Sequence, residues 1–544
     1  TTMTSKNPFH KAMTTNNASF TTNGAVSNNT PDITGNAEGR LAWFFKGIRD
    51  LNFVYAAQYL QQASQENLVD TFCLVMNTRD ILHGKGERAL GRQAFQWLLI
   101  NYPTEMKNVI KLIPEYGRWD DLYVLFPKYL KLDDLTWING NYCSNIDLNK
   151  LKIAREVQKY AIKIFADQLT EDFKNMQKGK PVTLAAKWAE TEGSSDDRKY
   201  NLVQQVCTEM SLHPKGYRVR NTQLRAYINI VERLCCNKQW DQIEYTKVPA
   251  QCMTKLRKAF AKNDAERFAE YLRKLSSGDK SVKINAKTLH PHELIGQYLN
   301  ISSGWHGSIS ETIDTVIEEQ WKELERITQE FGALEKTIVI SDVSGSMYCN
   351  KGLPLLVCIS LSLLIAKVSK APWNNSVMAF SEYPEWATIH GTTLLDRINS
   401  IRNIQQGFNT NFQKVFDHIL TKYDQYKLTP QDMPDKIICI SDMQFDVAGR
   451  NGSTNLDTVT KKFADRGLKR PKLIFWNVNS GLDFPATEQD QDTCLIGGFS
   501  PSIMKSLTTT GTFTPMSILR ETIDDIRYNP IRDKLGITLE KSNR

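Results

Sequence analysis

The chain has 544 residues, 41% of them apolar and 24% charged, with a formal net charge of +8. That length suits about three domains, or two large ones, and the composition is that of a folded protein rather than a disordered one. The most apolar run, Leu353–Val368, is interrupted by Pro354, Ser360, Ser362 and Lys367, so no membrane-spanning helix is expected.

Residues 1–36 are rich in Thr, Asn and Gly and predict a polar, partly disordered arm. This stretch has neither the apolar core of a secretory signal nor an Arg-rich transit pattern. The ten cysteines are scattered, and none forms a C-x-x-C pair. A reducing, cytoplasmic setting and no zinc site are the expectation.

Residues 37–334 read as helices separated by short breaks. Ile153, Val157, Ala161, Ile164 and Phe165 share one helical face, and Leu224, Tyr227, Ile228, Val231 and Leu234 repeat the spacing. Ser308 with Glu311 predicts a capping box for a helix carrying Ile313, Val316, Ile317, Leu324, Ile327 and Phe331. A helical succession of this length predicts an α-helical repeat, HEAT-like, arranged as a ring or solenoid. Gly84-Lys85-Gly86-Glu87-Arg88 lacks the preceding strand and the hydroxyl residue of a phosphate loop, and reads as a turn between helices. His290-Pro291-His292-Glu293 reads as a helix start rather than a metal cluster. Trp119-Asp120-Asp121 and Lys187-Trp188 read as packing and capping residues.

Charge is concentrated within this region. Residues 211–290 hold 17 Lys or Arg against 7 Asp or Glu, a local +10, so the remaining residues sum to about −2. A basic segment of this kind points to nucleic acid more than a basic average does. The solvated face of an ordinary helix is the plainer alternative.

Residues 335–544 change character. Short β-branched runs at 337–340, 376–380, 385–389, 436–440, 471–478 and 494–496 alternate with helical stretches at about 354–369, 392–402, 410–425, 455–466, 501–507 and 516–528. This alternation predicts a doubly wound α/β domain with a mostly parallel sheet. The fold class is therefore α + α/β, with a helical repeat ahead of the sheet domain.

Two of the strands end alike, in Ile340-Ser341-Asp342 and Ile440-Ser441-Asp442. Loops at the carboxyl ends of parallel strands form the ligand site of such sheets. Asp342 and Asp442, with hydroxyls from Ser344, Ser346 and Thr410, suit a hard octahedral cation, Mg²⁺ or Mn²⁺. An aspartyl-phosphate phosphatase needs an acidic residue at position 344, and a G-x-S-x-G hydrolase needs a glycine at 342. Neither is present, so the serines read as ligands.

The order Asp342-x-Ser344-x-Ser346, then Thr410, then Asp442 resembles the metal-ion-dependent adhesion site of von Willebrand factor A domains. That resemblance implies a metal with one open position, filled by a carboxylate from a partner protein. The Asp442-Met443 pair departs from the Asp-Gly common in that family. A helical region followed by such a domain resembles the TROVE-domain, Ro-type RNA-binding proteins. Nearer still is an uncharacterised family of plants, fungi and giant viruses, which the chain resembles in Asn7-Pro8-Phe9, Thr22–Ala25, Arg79-Asp80 with Gly84–Arg88, Ile113–Asp121, Leu184–Trp188, Pro291-His292-Glu293 and Ile340–Met347. The Asn-rich composition also fits an AT-rich genome such as that of a giant virus, with the virion then a second location. The Ro-like resemblance implies RNA on the helical region, with Arg218, Arg220, Arg225, Arg233, Lys255, Arg257, Lys258, Arg273 and Lys274 as its natural contacts and Tyr217 and Tyr227 interleaved among them. The resulting expectation is a non-enzymatic binding protein. The alternatives are a protein-only scaffold that recruits an acidic partner through the metal, and a metal-dependent hydrolase.

Overall fold

Gly39–Lys46 (α1) places Leu41, Ala42, Trp43, Phe44 and Phe45 all in the interior, because the helix is enclosed on every side. The computed structural model describes residues 39–125, 147–301, 307–332, 334–380, 384–402, 412–443, 452–479, 492–508 and 513–542. The arm expected over residues 1–36 lies outside them.

Helices α2 (Phe53–Glu66), α3 (Leu68–Arg79) and α4 (Arg88–Asn101) follow. The 30-residue α5 (Leu148–Gln177) buries Leu151, Ala154, Val157, Ala161 and Phe165, close to the face its spacing predicts. The predicted stripe over 224–234 is broken. α6 (Pro214–Tyr227) ends there, Asn229 takes a left-handed φ of 49°, and α7 (Val231–Cys236) starts afresh. Helices α8 (Ala250–Asn263) and α9 (Ala265–Ser276) pack Phe260, Phe268 and Tyr271 around Tyr245 in a satellite core of their own. After α10 (Pro291–Tyr298), Leu299–Asn300 pairs antiparallel with Ser308–Ile309. Ser308 is therefore in a hairpin and does not cap a helix. The cap of α11 (Thr315–Glu330) is Asp314, whose carboxylate accepts from Val316 and Ile317 N–H at 3.1 and 3.5 Å. At the start of α10, His290 N–H donates to Glu293 Oε2 at 3.1 Å, as a helix start requires.

The second half is a mixed six-stranded sheet: β1 (Thr337–Asp342), β2 (Ser376–Phe380), β3 (Trp386–Thr388), β4 (Lys436–Ser441), β5 (Lys472–Asn477) and β6 (Thr493–Gly497). Its strand order is β3-β2-β1-β4-β5-β6, parallel except for the β3 edge. The central strand β1 is buried along its whole length and β4 from Ile437 onward, as strands covered on both faces must be. α12 (Cys349–Val368) begins with three left-handed residues, Asn350, Lys351 and Gly352, so the regular helix starts at Leu353 with Pro354 in its first turn. A side chain at 352 would meet Ile301 Cγ2 at 2.4 Å, so only glycine fits. The strong apolarity of α12 follows from its place beneath β1, α10 and α11.

One continuous core runs through both halves. α1 lies against the end of β6, where a Cβ at Gly497 would come within 2.0 Å of Phe45 O. The last helices, α13 (Pro515–Ile523) and α14 (Asn529–Ser542), return to pack on α3. Lys85, in the turn after α3, is buried, and its ammonium donates to Phe44 O and to Gly47 O, the latter at 2.9 Å. It caps the carbonyl end of α1 instead of meeting a phosphate.

Candidate metal centre and basic face

β1 and β4 are neighbours at the middle of the sheet, and their register sets Asp342 beside Ser441. Both strand ends emerge on one edge, at the point where the strand order reverses. Asp342 is 3% exposed. Its Oδ1 accepts from Ser344 N–H at 2.9 Å and its Oδ2 from the Ser441 hydroxyl at 2.5 Å. The Ser344 and Ser346 hydroxyls lie 3.1 Å apart, and among the described residues no histidine bonds to either. Asp442 is buried immediately after β4. Met443 has a φ of 61°, the left-handed backbone that glycine adopts most easily. Position 443 thus keeps the conformation that the Asp-Gly pattern implies, and the Met side chain is buried to hold it. Thr410 lies outside the described residues.

These donors fit a divalent cation on physical grounds. Burial pushes the Asp342 carboxyl above its ordinary range, and only the hydrogen bonds from Ser441 and Ser344 pull it down. No described basic side chain offsets the charge. A hard cation would supply that compensation, held by carboxylate and hydroxyl oxygens. Among the described residues no three of His, Cys, Asp and Glu gather into a metal-holding group. A cation at this edge would therefore complete its coordination with hydroxyls and water.

The helical region reaches the same edge. Asn350 donates to Asp50 Oδ2 at 3.5 Å. Burial raises the Cys349 thiol, and the Asp442 and Asp50 carboxylates add to the rise. Ser441, the second-strand hydroxyl on Asp342, is absent from the ligand set that the sequence suggests. Its signal is the repeated Ser-Asp at the two strand ends.

The nine basic residues do not behave as one group. Arg225 donates to Ala186 O and Ala189 O at 2.8 and 2.5 Å. Arg257 pairs with Asp314 at 2.6 Å and reaches Gln297 at 3.1 Å. Arg273 and Lys274 share Glu270, and Arg218 meets Glu192 at 3.3 Å. Arg233 is half-buried on α7, and Arg220 lies over the Phe173 ring. Lys255 and Lys258 are exposed on α8, and Lys262 extends their row at helical spacing. No described carboxylate pairs with any of these three lysines. Tyr217 is buried, its hydroxyl donating to Glu190 O, whereas Tyr227 is 41% exposed.

Residues 155–334 match a family described as a domain of unknown function (DUF2828), and residues 336–530 match a second one (DUF7788). Over 539 residues the chain is 28% identical to an uncharacterised protein of Acanthamoeba polyphaga mimivirus, covering 95% of this chain and 89% of that protein. These matches fit an uncharacterised family with a giant-virus member.

Proposed function

We propose that this chain is a non-enzymatic, Ro-like binding protein. Its sheet domain, built on the von Willebrand factor A plan, holds Mg²⁺ or Mn²⁺ through Asp342, Ser344, Ser346, Thr410 and Asp442 and recruits a carboxylate from a partner protein. Its helical region binds RNA. The observation that carries the metal reading is the buried Asp342, placed between Ser344 and Ser441 with no described cation to offset it. The strand order β3-β2-β1-β4-β5-β6 with an antiparallel edge, and the left-handed Met443 after Asp442, support the A-domain plan. The unpaired lysine row of α8 supports RNA, because phosphates are held by cations that the protein has not already neutralised.

The scaffold reading has its own support. Arg225 and Arg257 serve the fold, and Arg273 is held by Glu270, so much of the local positive charge is not available to a ligand.

The test is titration calorimetry with Mg²⁺ on the full chain and on Asp342→Asn. The Asn keeps the shape and removes the charge. Loss of a direct charged ligand lowers affinity at least roughly a hundred-fold, since even outer partners of a ligand are worth 10–100-fold. The metal-free variant should unfold at the same temperature or slightly higher, because a costly buried carboxylate is gone. Equal Mg²⁺ affinity in the two proteins would overturn the metal assignment.

A further inference from the structure

Between the last turns of α5 and α6 lies an open groove of about 530 Å³ lined by Phe173, Met176, Gln177, Gln223, Ala226 and Tyr227. We infer that this groove is a stacking site for a base of single-stranded RNA, an inference that rests on the RNA reading above.

Arg220, Gln223 and Tyr227 fall at i, i+3 and i+7 and so share one face of α6, while Phe173, Met176 and Gln177 share one face of α5. The Tyr227 ring is 41% exposed, unusual for a large ring beside a core, and its hydroxyl is fixed by donation to Lys180 O at 3.0 Å. The ring is thus presented and held still, which lowers the entropy a stacked ligand must overcome. The Arg220 guanidinium stands 4.8 Å from the Phe173 ring centroid, a second flat surface for a base. Gln177 and Gln223 are exposed at the rim and carry both donor and acceptor for base edges.

Charge decides the occupant. Lys174 and Lys178 stand at the end of α5 next to its lining residues, Lys180 follows with its carbonyl on Tyr227, all three are exposed, and no described carboxylate pairs with them or with Arg220. An aromatic platform with unneutralised cations next to it in the chain matches the flat bases and regular phosphates of a single strand. A duplex hides its base faces and offers only its backbone.

The experiment measures fluorescence anisotropy of the full chain at low salt with a labelled oligouridylate, and with a duplex RNA of equal length. Tyr227→Ala should weaken single-strand binding about ten-fold or more, the scale of one lost stacking partner. Tyr227→Phe keeps the ring, loses only the bond to Lys180 O that steadies it, and should bind a little more weakly than wild type and clearly more tightly than Tyr227→Ala. Duplex binding should be unchanged in both. Crosslinks from 4-thiouridine should fall on the peptides holding Phe173 or Tyr227. If wild type binds the single strand while Tyr227→Ala binds equally well, or the crosslinks fall elsewhere, the groove takes some other occupant, such as a protein segment. The proposal is then overturned while RNA binding stands. If wild type binds neither RNA, the RNA reading itself fails and takes the groove with it.

Discussion

Arg527 holds Asp80 across 447 residues of chain, its Nη2 2.8 Å from Oδ1 and its Nε on Oδ2. Asp80 is fully buried at the end of α3, and Tyr528 adds a hydroxyl to it at 3.2 Å. Asn77 donates to that same Tyr528 hydroxyl at 2.9 Å, and Tyr116 donates to Arg527 O at 2.7 Å while stacking on the Tyr528 ring. The carboxyl-terminal segment is fastened in this way to the first helices.

Arg527→Met leaves the Asp80 carboxylate buried without its cation. Breaking one side of a buried pair costs about 3–5 kcal/mol. Urea unfolding should show that loss, and Asp80→Asn combined with Arg527→Met should recover most of it. A single variant as stable as wild type would mean that the pair holds nothing together.

Lys85 supplies the pH dependence. Burial pushes its ammonium down to about 7, although the Glu87 carboxylate pulls upward. Between about pH 7 and its ordinary value of 10.5, the unfolded chain binds a proton at this position that the folded chain does not. Stability therefore rises with pH in that window. Lys85→Met removes the slope and also leaves Phe44 O and Gly47 O without their donor, at about 1–3 kcal/mol for each unsatisfied group. The stability advantage of wild type over the variant should grow by roughly 2–3 kcal/mol between pH 7 and pH 9. Thermal unfolding at the two pH values measures it, and a constant difference would place the Lys85 proton outside this range.

Reversing Lys255, Lys258 and Lys262 together to Glu tests the α8 row without disturbing Arg257, whose bond to Asp314 steadies the cap of α11. RNA affinity at low salt should fall. The slope of log K against log salt should flatten by roughly 0.7 for each phosphate no longer neutralised, about 2 in all. An unchanged slope would remove this row from the RNA interface and favour the scaffold reading.

The sheet was legible because its signals are local. Buried strands ending in Ser-Asp mark their own carboxyl ends, and the five sheet runs from 376 onward fall within a residue or two of the observed strands. What escaped was set by partners distant in sequence. Ser308 had the spacing of a cap, but pairing with Asn300 drew it into a hairpin, and Asp314 took the role. Tyr227 had the spacing of a core residue and Tyr217 did not. Yet Tyr217 is buried with its hydroxyl on Glu190 O, 27 residues away, and Tyr227 is 41% exposed. A count of charges takes Arg257 as one cation among many, since its carboxylate lies 57 residues onward. Phe173 contributes to the α6 groove from a helix that the basic segment does not include.

The close approach of Phe45 O to Gly497 bears on how such chains can be divided. Residues 155–334 and 336–530 match separate families, and α1 to α4 belong to neither matched stretch. Yet α1 covers the end of β6, Asn477 donates to Phe45 O at 3.4 Å, and Arg520 pairs with Asp70 at 2.5 Å. A fragment cut at the junction of the two matched stretches would bare the seat of α1 on β6 and strand the charged partners of Asp70 and Asp80. The inherited segments and the cooperative folding unit are thus different objects, and a relative carrying the sheet segment alone would need another element to seal the seat that α1 occupies here.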